Sequence, residues 1–503
     1  MTDKRIKWLL IAIFAFEIIY WGIQVLTKGK WIDTYFVTDL HNTGMDYFNM
    51  LANIFYVDPY SFNSNYPALC FIIWRVLFRI MPWNENCGNG FYLREYMPAQ
   101  LGYIIFLLSV IILILEVTKK IFGNEYKNGL MLSLCVIFSG PILFTIERGN
   151  IIILAFAMLL VFFAFFDSEK KWQRYVAYLA LAISAAIKIY PALFGIFIIY
   201  KKRYKEALVT FLIGFLTFVL PFFCFKGIDS IKTMIHGIMV TSSESVSLGS
   251  NFNFSIANLN IIINKALHIQ IPNFICICGA LVLCILLYIF GDKLWKKILA
   301  ITLLCIWLPA FSYTYTLIFL IIPFIFFVKD HREEKAFYLY ALSYFAILIP
   351  MALPTVQGFD ESSAKFPLGY PTLIINAVIV LKEVVAGKRV IMIDDSIVRG
   401  TTSSRIINLL RQAGAKEVHV RISSPAFLHP CYFGTDIPSE DQLIASGRTV
   451  EQICDEIGAD SLGYLETDKL SEMICNQTGF CDACFTGNYP IEPPTIDIRG
   501  EMG

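Results

Sequence analysis

The residues best suited to chemistry lie late in the chain, between Val390 and Ser404. There an apolar stretch runs into two adjacent carboxylates, Asp394 and Asp395, and then into the sequence GTTSS before an amphipathic helix. Carboxylates at the end of a buried strand can accept hydrogen bonds from vicinal ribose hydroxyls, and free amides at a helix N-terminus attract a phosphate dianion. Two adjacent acids in a loop are usually only solvated, but this frame of strand, turn and helix predicts a ribose-phosphate site.

Two aspartates early in the chain are a second candidate for chemistry. Asp39 and Asp46 follow the first long apolar run, in the sequence DLHNTGMDYFNM. Close to a membrane surface, a carboxylate can act as a general base on a sugar hydroxyl. The alternative is that both are ordinary solvated loop acids, and the spacing alone leaves that open.

Two cations later in the chain could bind a phosphate. Lys188 lies in an apolar helical hairpin, where an ammonium costs about 2.5 kcal/mol or more unless it has a partner. A lipid-linked phosphate would be such a partner. The alternative is a lysine that snorkels or that pairs with Glu147 or another internal acid. The turn Glu147–Asn150 offers Arg148 and backbone amides to a phosphate, or it is an ordinary interfacial turn. Glu17, inside the first apolar run, is interpreted as a structural hydrogen-bonding residue.

The composition divides the chain into two parts. Of its 503 residues 57% are apolar and 16% are charged, whereas an ordinary soluble domain has about 25% charged residues. Apolar runs rich in Phe, Ile and Leu follow one another up to about residue 382, and charged residues then reach the density of a soluble protein. We therefore predict a polytopic membrane domain over 1–382 and a soluble domain over 383–503. A net charge of +1 gives no indication of nucleic-acid binding.

The apolar runs predict about twelve membrane spans. The first run, Trp8–Leu26, has the length of a span and lacks a small-residue cleavage site, so a signal peptide is rejected. Clusters of Lys and Arg recur along the chain, and the positive-inside rule places each cluster, the N-terminus and the C-terminal domain in the cytoplasm. Between Arg174 and Lys201 there is too little chain for two full spans, which predicts two half-length helices that meet near Lys188.

Two polar segments are expected at the outer membrane face. They are Thr27–Met97 and approximately Gly227–Pro272. The first contains the apolar stretch Pro67–Met81, in which Arg75 and Arg79 favour an interfacial helix over a span. Both segments are therefore candidates for contact with a substrate.

The order of these features resembles the polytopic glycosyltransferases of the GT-C superfamily. The shared features are a first span, an outer loop with an early Asp and a later NYP, the ERGN turn at 147–150 and the KIYP hairpin at 188–191. The likeness is to mannosyltransferase-like enzymes that use polyprenyl-phosphate sugars. It implies transfer of a hexose from a polyprenyl phosphate, within the bilayer, to an acceptor outside a bacterial plasma membrane. By this resemblance Asp46 takes the acceptor proton, with Asp39 as its substitute, and Arg148 and Lys188 neutralise the departing lipid phosphate.

The sequence from Asp394 onwards resembles a second family. The stretches DDSIVRGTTSS, IGADSLGYL and GFCDACFTGNYPI are similar to the C-terminal part of glutamine phosphoribosylpyrophosphate amidotransferases, the first enzymes of de novo purine synthesis. The resemblance implies an incomplete α/β type I phosphoribosyltransferase domain in which Asp394 and Asp395 hold the ribose of phosphoribosyl pyrophosphate. A divalent metal can accompany that ligand. The 5′-phosphate would be surrounded by Arg399, Gly400, Thr401, Thr402 and Ser403.

Three cysteines of the soluble domain carry a further implication of the second resemblance. Cys431, Cys481 and Cys484 stand where iron–sulfur members of the family place three ligands of a 4Fe–4S cluster. Such clusters take four thiolates. The fourth ligand is expected upstream of the similar part, and neither Cys454 nor Cys475 is expected to replace it. The cysteines before residue 382 are scattered among apolar runs and are interpreted as packing residues.

The second resemblance covers only part of an amidotransferase. A chain that begins Met1-Thr2-Asp3 is expected to lack the family's N-terminal catalytic cysteine, its glutaminase domain and half of the phosphoribosyltransferase sheet. The tail is therefore expected to be inactive unless another chain supplies the missing part. The apolar run Leu368–Leu381 passes into the tail without a Gly-, Ser- or Pro-rich linker, which indicates a gene fusion, a frameshift or a join of two reading frames.

Three functions follow from these features. The first is a membrane glycosyltransferase fused to a fragment that binds phosphoribosyl pyrophosphate. The alternative is amidophosphoribosyltransferase activity of the tail, completed by another chain. A transporter is the second alternative, because broken helices at membrane depth are typical of transporters. The long outer loop with its early acids favours the transferase.

Overall fold

The chain was analysed as a computed structural model, and it divides into two compact units, Met1–Ala377 and Val378–Gly503. Each unit is described by itself. The structure describes residues 4–27, 43–56, 58–62, 64–122, 126–248, 253–267, 270–310, 312–330, 337–349, 352–354, 365–367, 385–432, 439–470 and 481–492. The predicted site residue Asp39, Cys475 and the apolar run 368–381 lie outside these ranges.

The first unit is helical, as the apolar runs predict. Its α-helices are α1 (Lys4–Thr27), α2 (Met45–Phe55), α3 (Ala68–Leu77), α4 (Gly90–Glu95), α5 (Met97–Phe122), α6 (Tyr126–Ile137), α7 (Gly140–Arg148), α8 (Ile152–Phe165), α9 (Lys171–Ile187), α10 (Ile196–Tyr200), α11 (Tyr204–Val219), α12 (Ile228–Leu248), α13 (Ile256–Leu267), α14 (Asn273–Phe290), α15 (Leu294–Trp307), α16 (Ile321–Lys329) and α17 (Phe337–Leu348). Short 3₁₀ helices cover Pro59–Phe62, Glu85–Gly88, Tyr190–Gly195, Leu220–Cys224 and Thr314–Leu320. A small antiparallel ribbon pairs β1 (Ala352–Pro354) with β2 (Lys365–Pro367).

Fewer helices are long enough to cross a membrane than the sequence predicts. Within the described residues three qualify by length and composition: Lys4–Thr27, Met97–Phe122 and Tyr204–Cys224. A bent pair, Gly129–Ile137 with Gly140–Arg148, makes a fourth candidate if it counts as one span. The expectation of about twelve spans is therefore not confirmed, because most other apolar runs form helices of only 10–17 residues.

Helix breaks shorten these apolar runs. The break near Lys188 is present: α9 ends at Ile187, and a 3₁₀ helix with Pro191 in its first turn follows at Tyr190. Pro221 stands at the same place in the 3₁₀ helix that follows α11. Proline lacks a backbone N–H and clashes with the preceding turn, so it begins a new helical segment more readily than it continues one.

The core of the first unit is built around α8. Its side chains are apolar on all sides and almost all buried, and it packs against α5 and α9. A helix that is hydrophobic all round needs neighbours on every face. The long candidate spans differ, because they expose large apolar side chains such as Leu26, Ile105 and Phe211. Such a surface suits contact with lipid.

The second unit is a small α/β structure. Its parallel sheet has the order β3 (Arg389–Asp394), β4 (Glu417–Ile422) and β5 (Ser461–Gly463). Its helices are α18 (Thr401–Gln412), α19 (Val450–Ile457) and α20 (Ala483–Thr486), with a 3₁₀ turn at Glu440–Gln442. The coarse prediction of an α/β domain after the helical part is therefore confirmed.

Alternation of side chains decides which face of this sheet is covered. On β4, Val418 and Val420 are buried in a core that also contains Ile407 of α18 and Ile453 of α19. On β3, Ile391 and Ile393 are 67% and 77% exposed. Because successive side chains of a strand point to opposite faces, one face of β3 supports the core and the other is open. The carboxyl end of β3 leads directly into the acidic pair.

Candidate functional site

A close contact between two glycines positions the membrane site. Gly44, before α2, and Gly149, after α7, both have positive φ values, 73° and 69°. The Gly44 amide donates a hydrogen bond of 2.6 Å to the Glu147 carbonyl. A Cβ on Gly149 would lie 2.8 Å from Cβ of Tyr47 and 2.9 Å from the Gly44 carbonyl oxygen. Only glycine combines that conformation with that approach, so the start of α2 meets the end of α7.

This contact brings Asp46 to Arg148 and Asn150. Arg148 Nη2 donates to Asp46 Oδ1 at 2.8 Å, and Asn150 Nδ2 donates to Asp46 Oδ2 at 2.8 Å. The two charged side chains are each 18% exposed. Hydrogen bonds between ionised partners are shorter and stronger than neutral ones. Both oxygens of the predicted catalytic carboxylate therefore have a donor.

Two tyrosines hold the ammonium of Lys188 near the same cluster. Lys188 Nζ lies 4.6 Å from the ring centroid of Tyr66 and 5.3 Å from that of Tyr315. The Tyr66 hydroxyl accepts a hydrogen bond of 2.9 Å from Asn150 Nδ2. Cation–π contacts of this kind stabilise an ammonium in place of a carboxylate. Among the residues that the structure describes, no acid forms an ion pair with Lys188, so the predicted alternative of a pair with Glu147 is wrong for these residues.

The aromatic part of this site was missed by the sequence analysis. Tyr66 belongs to the NYP segment. Tyr313 is the N-cap of the distant 3₁₀ helix Thr314–Leu320, and Tyr315 lies in its first turn. The Arg148 guanidinium lies 5.9 Å from the ring centroid of Tyr313. A single tyrosine in an apolar run does not indicate a functional site. The two tyrosines of YTY, between two helical segments, are the pattern that could have indicated one.

Glu17 does not behave as predicted. It is buried in α1, and within the described part of the chain neither of its carboxylate oxygens has a hydrogen-bond partner. The interpretation of Glu17 as a hydrogen-bonding residue is therefore wrong for the described residues.

The second unit has a cavity at the residues that the sequence assigned to a ribose-phosphate site, here called the cradle. A cavity of about 520 Å³ at the end of β3 is lined by one continuous segment, Asp394–Ser403. The Asp394 side chain accepts a hydrogen bond of 3.0 Å from the Asp395 amide, and the Ser423 amide donates to the Asp394 carbonyl at 3.0 Å. The cradle therefore brings together all seven residues assigned to it by sequence: Asp394, Asp395, Arg399, Gly400, Thr401, Thr402 and Ser403.

Gly400 shapes the floor of this cavity. Its φ is 74°, and a Cβ there would lie 2.3 Å from Ile444 Cδ1. The Ile444 amide donates a hydrogen bond of 2.8 Å to the Val398 carbonyl, which anchors the loop from behind. α18 begins at Thr401, so its first amides, which have no acceptor inside the helix, face the bound anion in such loops.

The surroundings of Asp394 raise its pKa. Partial burial is the largest cause; the hydrogen bond from the Asp395 amide opposes it, and the Asp395 side chain adds to the rise. Two carboxylates side by side disfavour ionisation of both. A ligand that donates hydroxyl hydrogen bonds to the pair would relieve this repulsion.

The three cysteines assigned to an iron–sulfur cluster lie in the same part of the second unit. Cys431 and Cys484 border the same small apolar cluster around Phe427 and Leu443. Burial raises the pKa of the Cys484 thiol, and Cys431 and Cys481 contribute to that rise. Within the described ranges, no group of three or more His, Cys, Asp or Glu side chains is arranged to hold a metal ion. The assignment of Cys431, Cys481 and Cys484 to a 4Fe–4S cluster therefore stays a prediction.

The two units are similar to two different families of known proteins. Residues 90–314 match the model of glycosyltransferase family 87. This family 87 segment contains Arg148, Asn150, Lys188 and Tyr313, whereas Asp46 and Tyr66 precede it and Tyr315 lies one residue beyond it. The match supports a membrane glycosyltransferase.

The second unit is similar to amidophosphoribosyltransferases. The chain is 55% identical over 123 residues to that of Synechococcus elongatus, covering 24% of this chain and 25% of the relative. It is 54% identical over 117 residues to that of Bacillus subtilis, covering 22% and 25%. The solved Bacillus subtilis glutamine phosphoribosylpyrophosphate amidotransferase, complexed with ADP and GMP, is 52% identical over 23% of this chain and 26% of that chain, with a TM-score of 0.22. The chain thus spans about a quarter of the length of these relatives.

The contact between the two glycines predicts a sharp cost for a single methyl group. We expect Gly149→Ala to lower the thermal unfolding midpoint in detergent micelles, because a left-handed residue with a side chain costs about 1 kcal/mol and the methyl group also contacts Tyr47. Gly22→Ala in α1 is the matched control, since nothing lies within 4 Å of a Cβ there. Equal midpoints for the two variants would contradict this account.

The raised pKa of Asp394 predicts a pH-dependent effect on the second unit. The folded state holds this proton more tightly than the unfolded state, so ionisation of Asp394 costs stability above its pKa and costs nothing at about pH 3, where both states are protonated. We expect Asp394→Asn to slow amide hydrogen exchange in β3 at about pH 7 and to have no such effect at about pH 3. Asp455→Asn, on the exposed side of α19, serves as the control. Faster exchange in the Asp394 variant at neutral pH would refute the assigned repulsion.

Proposed function

We propose that the first unit transfers a hexose, mannose by its resemblance, from a polyprenyl phosphate to an acceptor at the outer membrane face. The observation that carries the proposal is the convergence of one carboxylate, Asp46, with two cations, Arg148 and Lys188. These three side chains come from separate elements, and a structural ion pair would need only two of them. The similarity to glycosyltransferase family 87 supports the same reaction class.

The arrangement suits a single displacement at the anomeric carbon. Asp46 takes the proton of the acceptor hydroxyl, and the acceptor oxygen bonds to the anomeric carbon as its bond to the phosphate oxygen breaks. The lipid phosphate then leaves with an additional negative charge. Arg148 and Lys188 stabilise that charge, which is where electrostatic catalysis is most effective. A direct displacement of this kind inverts the configuration of the sugar.

Arg148 has two roles in this reaction. Before the donor binds, its guanidinium pairs with Asp46 at 2.8 Å. A planar guanidinium can bind a phosphate through two parallel hydrogen bonds, so the donor competes with Asp46 for it. Lys188 is held by tyrosine rings. It therefore has no ion pair to break when the phosphate arrives.

The proposed reaction takes place in a bacterial plasma membrane. The exposed apolar faces of α1, α5 and α11 suit the bilayer, and the lipid donor would reach the site from within it. We place the N-terminus and the second unit in the cytoplasm by the distribution of Lys and Arg. The acceptor approaches Asp46 from the outer face.

A second function is favoured by the cavity of the second unit. We propose that Asp394–Ser403 binds the ribose 5-phosphate part of phosphoribosyl pyrophosphate, with the acids on the ribose and the α18 amides on the phosphate. Since the chain spans only about a quarter of its amidophosphoribosyltransferase relatives, conversion of glutamine and phosphoribosyl pyrophosphate to phosphoribosylamine would require a chain that supplies the rest.

Asp46→Asn tests the transferase. Loss of a general base lowers rates by about 10²- to 10⁴-fold, so we expect hexose transfer from a radiolabelled polyprenyl-phosphate mannose to fall by that factor in membrane vesicles. Asp330→Asn, at an exposed acid just after α16, should retain full activity. Undiminished transfer in the Asp46 variant would show that Asp46 is not the general base.

The double variant Asp394→Asn with Asp395→Asn tests the cradle. We expect the purified full chain to bind phosphoribosyl pyrophosphate in calorimetry and the double variant to lose most of that affinity, because the ribose hydroxyls lose two charged acceptors. Asp455→Asn with Glu456→Gln alters an equivalent acidic pair on α19 and should bind normally. Equal binding by both double variants would show that the ligand sits elsewhere.

A further inference from the structure

Asn150 is the least exposed polar residue at the membrane site. Its side chain is 1% exposed, and it ends the tight turn that follows α7. Its amide makes three hydrogen bonds of 3.0 Å or less: Nδ2 donates to Asp46 Oδ2 at 2.8 Å and to the Tyr66 hydroxyl at 2.9 Å, and Oδ1 accepts from the Ile152 amide at 3.0 Å. The Tyr315 hydroxyl also interacts with this amide. A buried amide with every contact made has a single orientation.

The Ile152 contact decides which end of the amide faces Asp46. The N–H of Ile152, at the start of α8, can only donate, so the atom opposite it must be the amide oxygen. The NH₂ group is thereby turned toward Asp46 and Tyr66. α8 is the buried core helix of this unit, so the donor is fixed to an element that packed neighbours hold in place.

We propose that Asn150 is the positioning residue of Asp46: a neutral donor that keeps the carboxylate in its catalytic rotamer when Arg148 turns to the donor phosphate. This inference rests on the proposed transferase function. Arg148 carries a positive charge, so an incoming phosphate competes for it. Asn150 carries no charge, so the same phosphate has little tendency to draw it away from Asp46.

Tyr66 extends this arrangement to the phosphate side of the site. Its hydroxyl receives the second N–H of Asn150, and its ring lies against the Lys188 ammonium at 4.6 Å. The Asn150 amide thus sets the distance between the proposed base, Asp46, and Lys188. Lys188 is the cation that does not exchange a carboxylate for the phosphate. The titratable groups that face Asp46 in the described structure are Arg148, Lys188, Tyr66, Tyr103, Tyr313 and Tyr315.

Asn150→Asp is the sharpest test, because it keeps the shape and the acceptor for Ile152 while it replaces the donor by a second carboxylate. We expect kcat for hexose transfer to fall about 10- to 100-fold, the range for loss of a hydrogen bond to a charged group, with the KM for the lipid donor little changed. The acidic limb of the rate–pH profile should move to higher pH, since adjacent carboxylates disfavour ionisation of both.

Tyr66→Phe is the second variant, and it removes a single oxygen atom while it leaves the ring against Lys188. We expect a smaller loss of kcat, about 2- to 10-fold, because the amide keeps its bond to Asp46 but loses its second anchor. Asn273→Asp adds the same charge at an exposed position and should leave kcat and the pH profile as in the unaltered protein. Unfolding midpoints measured in parallel separate a lost fold from a lost orientation.

The outcomes distinguish this inference from the function on which it depends. If Asp46→Asn retains transfer, the proposed base is wrong and the role of Asn150 falls with it. If Asp46→Asn abolishes transfer while Asn150→Asp and Tyr66→Phe keep kcat within twofold and an unshifted pH profile, the transferase stands and the positioning role is overturned. Loss of kcat in both variants with the shifted profile for Asn150→Asp supports the inference.

Discussion

The contact between Gly44 and Gly149 is the constraint on which the membrane site depends. Two left-handed glycines let two backbone turns meet at a hydrogen bond of 2.6 Å, and this meeting alone places a carboxylate from α2 beside a guanidinium and an amide from the far end of α7. The ion pair between Asp46 and Arg148 would otherwise have to pay the full loss of side-chain freedom in both partners. Here the backbone has already oriented them.

Sequence reasoning found the charged part of this site and missed its neutral part. Asp46, Arg148 and Lys188 stand out because charges in apolar surroundings need a reason. Asn150, Tyr66 and Tyr315 do not, since amides and phenols are common beside membrane helices and their partners lie far away along the chain. The expected number of spans is not confirmed for a related reason. Hydropathy indicates only that a run is apolar, and a spanning helix and a short helix buried among others both satisfy that condition.

The second unit was more predictable because its site is local. The acids, the glycine and the hydroxyl residues of the cradle occupy one short segment, Asp394–Ser403, so a strand, a turn and a helix suffice to assemble it. The part that could not be foreseen is again long-range. Ile444 lies under Gly400 and anchors Val398, and nothing in the local pattern indicates which distant side chain fills that place.

The open face of β3 has a consequence for how the second unit behaves in water. Parallel sheets are normally covered on both faces, yet Ile391 and Ile393 are largely exposed. Among the described strands, β3 is also at the edge of the sheet. A polypeptide reduced to this unit would offer other copies both a row of unpaired backbone groups and an apolar stripe, the combination that drives edge-to-edge association. Solubility, more than folding, would then limit its preparation in isolation.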